Sequence, residues 1–166
     1  MQRVRRLALG AMLVCVSASA QILEENPDWQ ESAVPPPPAF ERTRLIRLES
    51  PPGSSLTFGV DPATLSVTPE GIVRYVVVAS SPTGAQNVIY EGIRCSTAQT
   101  RVYARYSASG GWSQAADGDW RSLFGSAATR HALNLARAGV CTGKAAGQSA
   151  SDIVRTLQSA RPPGYD

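Results

Sequence analysis

Residues 71–95 read GIVRYVVVASSPTGAQNVIYEGIRC, and this stretch decides the fold because it holds two strand patterns around a turn. The first half, Gly71–Ala79, is rich in β-branched residues, which favour a central strand covered on both faces. After the turn residues Ser81–Gly84, polar and apolar residues alternate over Gln86–Cys95. We therefore predict an antiparallel β-hairpin here.

Further strand patterns flank the hairpin on both sides. Arg44–Glu49 and Leu56–Val60 precede it, and Arg101–Ser107 follows it. Alternation within the last segment predicts that one face carries Val102, Ala104 and Tyr106 and the other Arg101, Tyr103 and Arg105. The pattern as a whole indicates an antiparallel sheet of about five strands.

The last part of the chain changes to helical periodicity. Helices are predicted over residues 124–139 and 151–160, with Gly139 ending the first and Ser151 as a candidate N-cap of the second. An antiparallel sheet with two helices packed on one face is an α+β fold. We assign residues 43–160 to a single domain of this class and residues 161–166 to a C-terminal tail.

The N-terminus has the three regions of a secretory signal peptide in order. Three arginines within the first six residues precede an apolar run over Leu7–Val16, and Ala18-Ser19-Ala20 forms an A-x-A cleavage signature. The run is about half the roughly 20 residues that a membrane span needs, so we expect cleavage after Ala20 and no membrane anchor. Lipidation of Cys15 is the weaker alternative because Val14 before it is not small. The protein is therefore expected in a bacterial periplasm.

Residues 21–42 form a proline-rich arm. Four consecutive prolines, Pro35–Pro38, favour an extended polyproline II segment. The arm is either a spacer or a strap that lies across the domain. Trp29 favours a docked arm, since docking buries a large aromatic ring.

The net charge that remains after cleavage argues against nucleic acid as a partner. The leader removes three basic residues from the total of 16 and no acidic residue from the total of 13, so the remaining chain has a formal charge near zero. Such a chain has no long-range field that attracts polyanions. Nucleic acid is therefore not expected as a partner. We expect the partner to be an envelope protein or a cell-wall component whose identity the sequence does not give.

Two cysteines remain after cleavage, Cys95 and Cys141, and an oxidising compartment favours a disulfide between them. A metal or redox pair is the alternative, but the pair lacks the C-x-x-C spacing and a companion histidine pattern. The acidic turn Asp117-Gly118-Asp119 fails as a calcium loop, because Ala128 stands where a glutamate is required. We expect no metal site and no cofactor.

His131 is the only histidine, so every histidine-based mechanism depends on it. It lies in the first predicted helix beside Ala127, Ala128 and Leu135, which favours a histidine packed in the helix or on its surface over a catalytic one. The chain has no G-x-S-x-G, H-E-x-x-H or phosphate-binding glycine motif. We assign no catalytic residue, and keep a hydrolase centred on His131 with Glu91 or Asp119 as the alternative to a non-enzymatic protein.

Polar residues of the predicted sheet offer a candidate ligand site. Glu91, Arg94, Arg101 and Arg105 could bind a carboxylate or phosphate through planar guanidinium donors, or simply form ion pairs on a solvated surface. A small-ligand module built on Tyr90, Glu91 and Arg94 is a second alternative to the non-enzymatic envelope protein. The complete set of candidate ligand-binding residues is Tyr90, Glu91, Arg94, Arg101 and His131.

The segment SPTGAQNVIYEGIRC, residues 81–95, resembles the signature of the CNP1-like family of Gram-negative envelope proteins. Matching features occur in order along the chain: Trp29, Gly71–Tyr75, Trp112, Trp120, His131 and Cys141. The resemblance implies a secreted single-domain protein and brings no reaction, cofactor or ligand with it. One departure lies at Leu135–Val140, where family members carry more aromatic residues.

Overall fold

A computed structural model describes residues 28–116 and 118–159, which form one main antiparallel sheet with helices. Its strands are β1 (Ile46–Leu48), β2 (Thr57–Val60), β3 (Ser66–Val67), β4 (Ile72–Ser80), β5 (Gln86–Arg94), β6 (Gln99–Ser107), β7 (Gly111–Gln114) and β8 (Arg121–Ser122). The order is β1-β2-β4-β5-β6-β7, with β3 beside β4 and β8 beside β6. A separate two-stranded ribbon joins β9 (Cys141–Thr142) to β10 (Ala145–Ala146).

The predicted hairpin is confirmed as the centre of the sheet. β4 and β5 pair along their whole length, from Ser80 opposite Gln86 to Ile72 opposite Arg94. Residues 72–79 are all buried, as expected for a strand covered on both faces. Gly84 lies in the connecting turn with φ +88°, a conformation that glycine adopts without steric cost.

The helical part is shorter and less regular than the periodicity predicts. Short 3₁₀ turns cover Pro62–Thr64 and Ala127–Thr129, α1 spans Arg130–Leu135, a π-helical turn covers Ala136–Val140, and α2 spans Ala150–Ser159. The first helix does not begin at Phe124 because a turn comes first, in which the Gly125 amide donates to the Ser122 carbonyl. The α-helix ends at Leu135, and the predicted stop, Gly139, lies within the π-helical turn that follows, with a φ of +135° in the left-handed region that favours glycine.

The N-cap of α2 is Ser149 and not Ser151. The Ser149 hydroxyl accepts a hydrogen bond from the Asp152 backbone N–H at 3.1 Å and bonds the Asp152 carboxylate at 2.6 Å. These hydrogen bonds lower the pKa of Asp152 below its ordinary value. A serine with an acidic residue three positions later matches the sequence spacing of a capping box, so the sequence carries the N-cap signal two residues before Ser151.

The two faces of the sheet are covered by different parts of the chain. On the helix face, α1 and α2 pack in one cluster with Val73, Val77 and Ile93. On the opposite face, which we call the arm face, Phe40 of the arm packs in a second cluster with Tyr106 and Trp112. The α+β class with two helices on one face is therefore confirmed, although the main sheet has eight strands and not about five.

A β-bulge in β6 overturns the predicted alternation of that strand. The register shifts where Tyr90 pairs with Ala104 and Glu91 pairs with Val102, which leaves Tyr103 as an extra residue. Tyr103 and Ala104 consequently pack in the same cluster on the arm face, while Arg105 lines a cavity on the helix face. One extra residue inverts the alternation beyond it.

Several predictions concern residues outside those described. They are the signal peptide and its cleavage after Ala20, the first part of the arm, the turn at Asp117 and the tail 161–166. Among residues 28–116 and 118–159, every helix falls short of the length and apolarity needed to span a bilayer.

Candidate functional site

The motif Tyr90–Cys95 is divided between the two faces of the sheet, because successive side chains of a strand point to opposite sides. Glu91, Ile93 and Cys95 lie on the helix face. Tyr90 packs on the arm face, and the Arg94 guanidinium lies 3.5 Å from the centre of the Trp29 ring of the arm. A single strand thus supplies residues to two separate sites.

On the helix face, an open cavity of about 740 Å³ lies between the sheet and the first turn of α1. Its walls combine apolar residues such as Phe58, Ile89 and Val102 with charged ones. The volume is within the range of small-molecule sites, roughly 300–1,000 Å³. The sequence-predicted residues Glu91 and His131 both line this cavity.

A buried triad of polar side chains, Glu91, Tyr75 and His131, lies beside this cavity. One oxygen of the Glu91 carboxylate, Oε1, accepts hydrogen bonds from the Tyr75 hydroxyl and from His131 Nε2, both at 2.7 Å. The Glu91 side chain is only 1% exposed. Its other oxygen, Oε2, is buried without a hydrogen-bond partner among the described residues, which is a costly arrangement for a carboxylate.

His131 is held from several sides. Its ring stacks on Phe58 with centroids 5.3 Å apart and planes within 2° of parallel. Burial disfavours the charged ring, but the Glu91 carboxylate and a hydrogen bond with the Ala128 backbone outweigh it and raise the pKa of His131 above its ordinary value. The hydrogen bond between His131 and Glu91 therefore joins α1 to the centre of the sheet.

The pH dependence of stability follows from this raised pKa. The His131 contribution is fully present below the unfolded-state value, about 6.5, and is lost as pH rises through the folded-state pKa. We expect the stability advantage of the native protein over His131→Gln to be greatest below about pH 6.5 and to shrink as pH rises above it. Urea unfolding of both proteins across this range measures it. Because the chain has one histidine, no other imidazole obscures the result; an advantage that stays constant with pH would contradict the assignment.

The geometry shows which carboxylate could act with His131 in the hydrolase hypothesis. Glu91 is the carboxylate that pairs with His131, whereas Asp119 lines the cavity without an observed bond to the ring. A general base must receive a proton on a ring nitrogen that faces the reacting group. Nε2 already donates to Glu91 and the ring stacks on Phe58, so the arrangement favours an anchoring role for His131.

The arm face carries a second charged cluster, centred on Glu31. Its carboxylate accepts hydrogen bonds from Arg101 Nη1 at 2.7 Å, from the Tyr103 hydroxyl at 2.6 Å and from Arg74 Nη2 at 3.3 Å. The side chains of Glu31 and Arg74 are 9% and 5% exposed. Burial and the Glu31 carboxylate keep the pKa of Tyr103 above its ordinary value. Gly92 makes room for this tyrosine, since a Cβ there would lie 2.6 Å from the hydroxyl oxygen.

The start of the described arm is fastened to the β3–β4 connection. Trp29 Nε1 donates to the Glu70 carbonyl, and the Ser32 amide and hydroxyl both donate to the Glu70 carboxylate. The Trp29 ring also contacts Trp120 edge-on at 6.2 Å. Of the two alternatives left open by the sequence, the described part of the arm therefore takes the docked one.

The predicted ligand-binding residues do not form one site. Glu91 and His131 meet at the cavity on the helix face, while Tyr90, Arg94 and Arg101 lie on the arm face. A module built jointly on Tyr90, Glu91 and Arg94 is therefore not assembled, because strand alternation separates Glu91 from the other two. The grouping of Glu91 with Arg94 and Arg101 as one polar face fails for the same reason.

Three participating residues were missed by sequence reasoning. Tyr75 was read only as part of an apolar strand, although a tyrosine within a buried run needs a hydrogen-bond partner and so signals a polar neighbour. Glu31 lies 43 residues from Arg74, and no local pattern connects them. Phe58 carries no signal for its stacking on His131.

The predicted disulfide is present between Cys95 and Cys141, with the sulfur atoms 2.00 Å apart. Cys95 directly follows β5, and Cys141 directly follows the π-helical turn. The bridge therefore holds the end of the helical segment against the strand that carries Glu91.

A family model for the CNP1-like family matches residues 24–158, most of the chain. The chain belongs to the CNP1-like family. Searches of curated proteins and of solved structures found no match. The match includes the docked arm as well as the sheet and both helices, so in this CNP1-like chain the arm is part of the family region and not an appendage to it.

Metal binding receives no support from the geometry of this CNP1-like protein. Within residues 28–116 and 118–159, no group of three or more histidine, cysteine, aspartate or glutamate side chains is placed to hold an ion. The acidic side chains of both charged clusters instead face arginine, histidine and tyrosine donors.

Proposed function

We propose that this CNP1-like protein is an exported, non-enzymatic protein of the periplasm that binds another envelope component in the cavity on its helix face. The observation that carries the proposal is the open cavity of about 740 Å³ that the hydrogen-bonded pair Glu91 and His131 helps to line. A concave site of this volume can hold a small molecule or a protruding group of a larger partner. The signal-peptide pattern of the first 20 residues supports export.

The contacts of the His131 ring favour a binding function over a catalytic one. The His131 ring is hydrogen-bonded to Glu91 through Nε2 and stacked on the ring of Phe58. A side chain fixed in this way is suited to organising a binding surface and poorly suited to proton transfer with a substrate. The hydrolase centred on His131 and Glu91 remains the second candidate, since the pair itself is present beside the cavity.

The experiment is recovery of bound components from protein purified out of the periplasm, comparing the native chain with Ala128→Trp. Ala128 is exposed at the cavity wall, so an indole there fills the cavity without entering the core. Ala108→Trp is the matched control, because Ala108 is exposed in the β6–β7 turn and does not line the cavity. Denaturing mass spectrometry identifies what is released.

We expect a component that the native protein and Ala108→Trp retain and that Ala128→Trp loses by at least about tenfold. Equal recovery from all three proteins, or recovery from none, would contradict binding in the cavity. Hydrolytic turnover of the recovered component by the native protein, lost in His131→Gln, would decide for the enzyme.

A further inference from the structure

We infer that the outer edge of β7 pairs with an extended segment of a partner protein, which adds a strand to the main sheet. This inference rests on the proposed function, since it makes the envelope component a polypeptide and adds a second contact surface to the cavity on the helix face. In strand addition, backbone hydrogen bonds supply affinity, and pockets for alternate side chains supply specificity.

β7 is the last strand at one side of the main sheet. It pairs with β6, and no strand lies beyond it among residues 28–116 and 118–159. Just after β7, the Ala115 amide donates to the Tyr103 carbonyl, so the backbone groups of Ser113, two residues earlier, also face β6. The N–H and C=O groups of Trp112 and Gln114 consequently point away from β6, where a further strand can bind them.

The composition of this edge differs from that of the opposite edge of the sheet. Residues 107–116 read SASGGWSQAA and contain neither a charged residue nor a proline. Edge strands are ordinarily protected against pairing by charges, prolines or covering segments. The other edge, β1, has such charges, since Arg47 is exposed at its centre and Arg44 and Glu49 lie close by in the sequence. The charge-free edge at β7 is therefore the one suited to accept a strand.

A cavity opens on each face of the sheet beside this edge. The cavity on the helix face and a second one of about 460 Å³ on the arm face both include Gln114 and Ala115 in their walls. The second cavity lies between the arm segment Val34–Pro37 and the sheet, and Trp112 forms part of its wall. Because β7 has only four residues, it offers few backbone hydrogen bonds, and side chains that enter the cavities must supply much of the affinity.

The register of β7 determines which cavity each side chain of the partner approaches. Ser113 lies opposite Arg105, which lines the cavity on the helix face, whereas Trp112 lies opposite Tyr106 in the cluster on the arm face. A partner residue beside Ser113 therefore points to the helix face, and its two neighbours point to the arm face. Half-buried apolar side chains line both cavities, Ile89 the first and Trp112 the second, so we expect three successive apolar residues in the partner.

Selection from a random library of ten-residue peptides, with the protein purified from the periplasm as bait, tests the inference. We expect enriched peptides to share a run of at least three apolar residues without a proline, as an added strand requires. Calorimetry then compares two copies of one enriched peptide, N-methylated at the two alternate sets of backbone amides. Only one set faces β7, so one copy should bind at least about tenfold more weakly than the other, as loss of one or two hydrogen bonds implies.

Substitutions at Gln114 test the edge itself. Gln114→Pro removes an N–H that points away from β6, so the native sheet keeps its hydrogen bonds while the added strand loses one. Gln114→Lys adds a charge of the kind that protects edge strands. Ala108→Lys is the matched control, because it adds the same charge at an exposed residue of the β6–β7 turn. We expect both Gln114 variants to bind the peptide at least about tenfold more weakly and Ala108→Lys to bind it unchanged, with urea unfolding as the check that each variant folds.

Three results would overturn the inference: no enriched peptide, equal affinity of the two N-methylated copies, or a peptide that binds Gln114→Lys as tightly as the native protein. Self-association of the native protein that sedimentation detects and Gln114→Lys abolishes would make a second copy of this chain the occupant, and the assignment of a partner protein would be wrong. If the component lost from Ala128→Trp is not a polypeptide, the partner class is wrong while the proposed function stands; if nothing is lost from Ala128→Trp, the proposed function itself fails.

Discussion

Replacing Cys95 and Cys141 together with alanine is expected to lower the free energy of unfolding by about 4 kcal/mol. The bridge joins residues 46 positions apart, and closing a loop of that length removes entropy from the unfolded ensemble, which raises its free energy by about this amount. A small domain has only about 5–15 kcal/mol in total, so the variant should be close to unfolding at moderate temperature. Urea unfolding in the absence of reductant measures the difference.

The control for this experiment is the native protein unfolded in the presence of a reductant, which should reproduce the loss without any change of sequence. Hydrogen exchange should show the largest loss of protection at the π-helical turn and β9, since the bridge fixes that segment to the sheet. A loss below about 1 kcal/mol in both measurements would contradict the entropic account.

Glu31→Gln is expected to destabilise the protein by about 3 kcal/mol or more and to release the start of the arm. The glutamate faces two guanidinium groups and the Tyr103 hydroxyl, and an amide of similar shape leaves the buried Arg74 with only the more distant Glu70 carboxylate, at 3.9 Å, as a charged partner. Breaking a buried ion pair from one side costs about 3–5 kcal/mol. Urea unfolding gives the loss, and a red shift of tryptophan fluorescence reports exposure of Trp29.

Glu41→Gln is the matched control within the same arm. Its side chain is 57% exposed and pairs with Arg44, which is 51% exposed, so the loss should stay below about 1 kcal/mol. Equal effects of the two substitutions would mean that the burial of Glu31 contributes nothing, and that the arm is held by its aromatic and backbone contacts alone.

The sequence predicted the elements whose signals are local. The β-branched run of β4 and the alternation of β5 identify the central hairpin, and the two remaining cysteines identify the bridge. The helix over residues 124–139 was predicted too long, because the turn at Ser122–Gly125 and the π-helical turn are invisible to a 3.6-residue period.

The candidate sites were predictable only in part. The pairing of His131 with Glu91 was one of the options that a single histidine left open, and the geometry selects it over Asp119. The arm cluster was not predictable, since Glu31 meets Arg101 across 70 residues of chain. Long-range ion pairs depend on docking of segments, which composition and periodicity do not encode.

The bulge at Tyr103 makes one short segment sensitive to its length. Arg101 binds the arm on one face and Arg105 lines the cavity on the other, although an unbroken strand would place residues four apart on the same face. Deleting one residue between these arginines would turn one of them onto the wrong face, and inserting one would do the same. Substitutions in this segment can be tolerated, but an insertion or deletion there would either remove Arg101 from its contact with the arm or remove Arg105 from the cavity wall.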